Sequence, residues 1–115
     1  MLLDRVVDQG ATVPGLWRLE AANGLPTAIR RNRIDQGFRD RAIAQLTLLP
    51  ITVDPDTDRY AWTTTLYLAD RFALTPYDAA YVELAQRLML PLATLDEPLR
   101  AAATALGIGL LGTSS

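Results

Sequence analysis

The chain alternates between two kinds of apolar pattern, and nothing else in it limits the possible folds so strongly. Short apolar runs cover residues 11–14, 48–53, 90–95 and 108–111, each edged or interrupted by proline, glycine or aspartate. Runs of that length suit buried strands and are too short for typical helices. The longer stretches between them carry apolar residues near a 3.6-residue period, the spacing of one helix face. Strands that alternate with helical segments predict an α/β sandwich with a mostly parallel sheet. At 115 residues the chain has room for one domain. Residues 1–112 are expected to form it, with 113–115 a loose tail.

The helices can be placed by their start and stop signals. Residues 1–8 read as a helix end, with Leu2, Leu3, Val6 and Val7 on one face and Gly10 closing it. A helix is expected over about residues 15–30, broken or kinked at Gly24 and Pro26. A second covers 35–48, with Phe38, Ala42, Ile43, Leu46 and Leu49 inward. Asp56 is expected to cap a third over 57–73, whose buried stripe is Trp62, Leu66, Ala69 and Phe72 or Ala73. The strongest start is Thr75-Pro76-Tyr77-Asp78, which places a capping hydroxyl, a first-turn proline and an acid in the three positions that favour them. That helix runs to about residue 89, with Ala80, Tyr81, Leu84, Ala85 and Leu88 inward. A last helix over 99–106 stops at Gly107.

Composition restricts the chemistry. The chain has neither histidine nor cysteine. Disulfides, zinc ribbons, thiol nucleophiles and histidine-based triads are therefore excluded. A metal here must sit on oxygen ligands, which favours Mg²⁺ or Mn²⁺. The net charge of −2 does not point to nucleic acid, and the use of arginine for all eleven basic residues fits GC-rich coding better than phosphate recognition. No apolar run approaches the roughly 20 residues of a membrane span, and residues 1–7 make a poor signal peptide. The expected location is the cytoplasm, away from any membrane.

Three carboxylates fall where an open α/β sheet binds ligands, beyond the carboxyl ends of its strands. Glu20 lies in the helix after the first strand, Asp78 in the first turn of the helix starting at Pro76, and Asp96 just after the strand at 90–95. Asp78 and Asp96 also have plain structural explanations as helix-start acids. Glu20 is harder to explain that way. It has no basic residue three or four positions away and borders the apolar side of its helix, where a carboxylate is costly unless it binds something.

The segments around these acids resemble a known family. Pro14-Gly15-Leu16-Trp17-Arg18-Leu19-Glu20-Ala21-Ala22-Asn23 is similar to the "P-x-L-W-x-x-E-x-x-N" stretch of VapC-type PIN domains. Leu74-Thr75-Pro76-Tyr77-Asp78-Ala79-Ala80-Tyr81-Val82-Glu83-Leu84-Ala85 resembles their "L-T-x-Y-D-A-A-Y-x-x-L-A", and Leu90-Pro91-Leu92-Ala93-Thr94-Leu95-Asp96 their "L-P-L-A-T-x-D". The likeness spans about residues 3–111. It implies a PIN-like three-layer sandwich and a Mg²⁺- or Mn²⁺-dependent endoribonuclease, the toxin of a toxin–antitoxin pair. Glu20, Asp78 and Asp96 would be the catalytic metal ligands, supported by Thr94 and Asn23. The implied partners are an RNA substrate, a cognate antitoxin and a second copy of the chain.

One departure from the family matters. PIN domains open with a central strand ending in an aspartate, and Asp4 and Asp8 both sit in a helical, surface-like context instead. The resemblance thus implies a sheet whose first, central strand is missing and a site one ligand short, with impaired catalysis. It also implies two unpaired strand edges, which an intertwined homodimer would close with borrowed structure. Arg30, Arg31 and Arg33 are a weak candidate RNA contact, offset by Asp35 and Asp40 nearby. Two functions remain: the impaired nuclease, and a catalytically inactive dimeric module that engages an antitoxin or RNA.

Overall fold

The computed structural model describes residues 10–32 and 34–111, with backbone alone for residues 23–29 and 46. The helix end expected over 1–8 and the tail at 113–115 lie outside the described residues. Among the described residues four short strands are formed: β1 (Ala11–Val13), β2 (Ile51–Val53), β3 (Leu92–Ala93) and β4 (Leu110–Leu111). Five α-helices accompany them among the same residues: α1 (Trp17–Arg30), α2 (Gln36–Thr47), α3 (Leu66–Phe72), α4 (Pro76–Leu88) and α5 (Glu97–Ala105). The α/β class is as the alternation predicts. Pairing is parallel, with Ala11 opposite Ile51 and Leu92 opposite Leu110. The strands nonetheless form two separate pairs, β1–β2 and β3–β4, where one sheet was expected.

Local chemistry explains most boundaries. Asp35 starts α2 by accepting the Phe38 N–H at 2.7 Å. Thr75 caps α4 by accepting the Asp78 N–H at 3.1 Å, and Pro76 occupies the first turn, where no N–H is required. At the end of α5, Gly107 turns at φ +73°, and the N–H of Ile108 closes back on the Ala103 carbonyl at 2.8 Å. Helix α1 runs through Gly24 and Pro26 without the expected break. Proline forfeits one backbone bond there, to the carbonyl of Ala22, and Ala22 is exposed, so solvent is at hand.

The core is organised around α4. Ala79 and Val82 are fully buried, and Ala80, Leu84 and Ala85 nearly so. Leu68 and Ala69 of α3, Leu92 of β3, and Leu99, Ala102 and Ala103 of α5 complete the apolar cluster. The alanines let neighbouring helices approach α4 closely. Leu88, expected inward, is 41% exposed at the last turn of α4.

The third helical stretch departs most from expectation. A 3₁₀ turn (Asp58–Tyr60) and a π segment (Ala61–Thr65) precede α3, and Asp56 makes no cap. The buried positions are Thr65, Leu68 and Ala69, whereas Trp62 is 91% exposed and Leu66 is also exposed. A π turn takes more residues per revolution than an α turn, so residues before it fall out of phase with the stripe after it. On α2, Phe38 and Ile43 are exposed rather than inward, because no described element packs extensively against that helix.

Candidate functional site

A cleft of about 360 Å³ opens beside β3. Trp17 and Glu20 of α1, Asp78 and Tyr81 of α4, and Leu92 to Thr94 of β3 and its exit line it. The backbone sets this convergence. Helix α1 begins just after β1, because the carbonyl of Pro14 accepts the Trp17 N–H at 3.0 Å, and that turn puts Glu20 in the first turn of α1. Asp78 and Tyr81 stand three residues apart on α4, so both project from one face. Thr94 follows the carboxyl end of β3, the edge where α/β proteins commonly bind ligands.

The apolar spacing of α4 predicts Tyr81 only as an inward residue. In the structure it donates its phenolic proton to Glu20 Oε1 at 2.5 Å, joining residues 61 positions apart. That length is typical of a hydroxyl bonded to an ionised carboxylate. Burial, followed by the bond to Glu20 and the charges of Glu20 and Asp78, pushes the Tyr81 pKa well above the ordinary phenol value. The phenol stays protonated and acts as a donor. Its three-residue spacing from Asp78 was the available signal.

Asp96 is placed differently from the other two acids. Its Oδ2 accepts the Leu99 N–H at 3.2 Å as the N-cap of α5, and its own N–H donates to Thr94 Oγ1 at 3.0 Å. It does not line the cleft. Among the described residues no three acids come together closely enough to hold a metal ion. Glu20, Asp78 and the Thr94 hydroxyl are nevertheless an all-oxygen donor set. Mg²⁺ is commonly held by one or two carboxylates with water completing its shell, so these two acids fit such an ion in type and number. Asn23 lies within α1, but its side chain is outside the described residues, as is Arg33. Arg30 and Arg31 are exposed and do not line the cleft. Arg39 is paired with its neighbour Asp40 at 3.2 Å.

A second polar cluster was not expected. Arg87 of α4 reaches Asp54 Oδ2 at 2.5 Å and Glu83 Oε2 at 2.7 Å, and its guanidinium lies 4.7 Å from the Tyr60 ring centre. Both acids are buried, at 5% and 3% exposure. Thr57 donates to Asp54 Oδ2 at 2.9 Å and accepts the Gly15 N–H at 2.9 Å. The chain of bonds ties the loop leading into α1 to α4 through the turn after β2. The Arg87 bond lowers the Asp54 pKa despite its burial. With both buried carboxylates bonded to the one guanidinium, this cluster is a structural clamp.

Compared with family models, curated proteins and solved structures, the chain matches none of them. No helix among the described residues is long and apolar enough to cross a membrane.

Proposed function

We propose that this chain is a PIN-like, VapC-type endoribonuclease toxin that uses Mg²⁺ or Mn²⁺, with weakened catalysis. The observation that carries this reading is the convergence of Glu20, Asp78 and Thr94 on one cleft, from three segments far apart in sequence. Glu20 and Asp78 would hold the ion, which when bound supplies an activated water and charge stabilisation at a phosphodiester. Tyr81 restrains Glu20, and Trp17 offers an aromatic wall to the cleft. Asp96 serves its helix cap, so the site as folded has two acids on the cleft rather than three. This is the physical reason to expect weak catalysis.

The remaining elements of the reading are a PIN-like sandwich, a homodimer, a cognate antitoxin and an RNA substrate. The two separate parallel pairs support the homodimer, since pairs of three and two residues are marginal alone and leave strand edges open. The capping role of Asp96 favours a second reading, a catalytically inactive module that binds RNA or an antitoxin. One experiment separates the two. Mixed tRNA and structured RNA are incubated with the protein in Mn²⁺ or Mg²⁺, against EDTA and Asp78→Asn. Metal-dependent cleavage lost in Asp78→Asn supports the nuclease, and cleavage no greater than that of the variant supports the binding module.

A further inference from the structure

We infer that Tyr81 is the positioning residue of the cleft: its hydroxyl fixes Glu20 Oε1 and leaves Oε2 as the oxygen presented to a divalent cation. The inference rests on the metal-binding reading above and adds a residue to it. Three observations carry it. The hydroxyl–carboxylate bond is short, at 2.5 Å, and links two helices rather than neighbouring residues. Tyr81 shares a helix face with Asp78, so one rigid turn of α4 carries both a candidate ligand and the group that restrains the other. Glu20 has no other hydrogen-bond donor among the described residues, so Tyr81 alone fixes the rotamer of a long, flexible side chain. A donor that orients a metal-binding carboxylate typically contributes about 10–100-fold to metal affinity.

The test is Mn²⁺ binding to the full chain, read by electron paramagnetic resonance, for the wild type, Tyr81→Phe, Glu20→Gln and the double variant. Tyr81→Phe keeps the ring and removes only the hydroxyl. Its Mn²⁺ affinity is expected to fall about tenfold. In the Glu20→Gln background the same change is expected to have no further effect beyond about twofold, since Tyr81 acts through Glu20. Unchanged affinity in Tyr81→Phe, or an equal loss in both backgrounds, overturns the inference while leaving the metal reading intact. A wild type that binds no Mn²⁺ overturns both. The unaltered protein offers a reading free of folding effects. On Mg²⁺ addition the ring resonances of Tyr81 should shift in NMR while those of exposed Tyr67 stay in place, and a stationary Tyr81 counts against the inference.

Discussion

Replacing Arg87 with methionine tests the clamp most severely. Methionine keeps much of the side-chain volume but removes the cation that, among the described residues, faces Asp54 and Glu83, both more than nine-tenths buried. Removing one member of a buried ion pair typically costs about 3–5 kcal/mol, because a charge is left unpaired in a poorly solvating interior. Here two carboxylates would be left, so the upper part of that range applies. A domain of this size holds about 5–15 kcal/mol in total, and the expected loss corresponds to a fall in melting temperature of about 10–20 °C. Urea unfolding followed by circular dichroism gives the free energy directly.

The pH dependence adds a second criterion. In the wild type the pKa of Asp54 is depressed, so its stabilisation is complete above the unfolded value of about 4 and is lost as pH falls through the lower folded value. In Arg87→Met, burial without a counter-charge favours the protonated form of Asp54, so acid relieves the variant while it weakens the wild type. The stability gap should therefore narrow below about pH 4. A loss under about 1 kcal/mol, or a gap that widens in acid, would refute the assignment of Arg87 as the neutralising centre.

Three further outcomes are expected. Gly10→Ala should destabilise by at least about 1 kcal/mol, since Gly10 sits at φ +76° and an added Cβ would meet the Pro50 carbonyl oxygen at 2.8 Å; unchanged urea unfolding would show that the β1–β2 junction yields. Val82→Ala removes two methyls from a fully buried position on α4 and should cost about 1–3 kcal/mol by the same assay, with a smaller loss meaning that the alanine-rich core collapses into the space. Glu20→Gln should lower the pKa of one phenol, seen as extra tyrosinate absorbance in alkaline solution. In the wild type the raised Tyr81 pKa contributes stability that is intact below about pH 10 and fades above it, so the variant should lose less stability there.

How much of this was legible in the sequence depended on whether the signal was local. Thr75 with Pro76 marked the start of α4, Gly107 marked the end of α5, and the alternation of runs gave the α/β class. Each is a property of a few adjacent residues. Of the stripe expected for the third helical stretch, Ala69 is buried, but Trp62 lies in a π segment that shifts its phase, and no residue in Ala61–Thr65 announces that turn. The ends of α3 and α4 at Ala73 and Met89 adopt the left-handed conformation usually left to glycine, so they carried no warning. Asp54, Glu83 and Arg87 were invisible as a unit because Arg87 and Asp54 lie 33 positions apart and Glu83 reads as an ordinary helix surface acid. In the cleft, Glu20 and Asp78 were legible as acids near strand ends. The phenol that holds Glu20 was harder to see, because an aromatic at helical spacing looks like core and only its three-residue step from Asp78 set it apart.

The two separate parallel pairs also bear on the order in which the chain assembles. Joining Ala11 to Ile51 closes a loop about twice as long as joining Leu92 to Leu110, an entropic difference of about 0.6 kcal/mol. The C-terminal pair closes around α5, whose apolar side belongs to the same cluster as α4. A nucleus made of α4, α5 and β3–β4 should therefore form first, with β1–β2 docking on it afterwards. Conservative truncations in α4 would then slow refolding, whereas those in β1 would mainly speed unfolding. The clamp from Asp54 to Arg87 becomes the latch that holds the late-arriving half, and the cleft, which needs Glu20 from that half, is completed only at the final step.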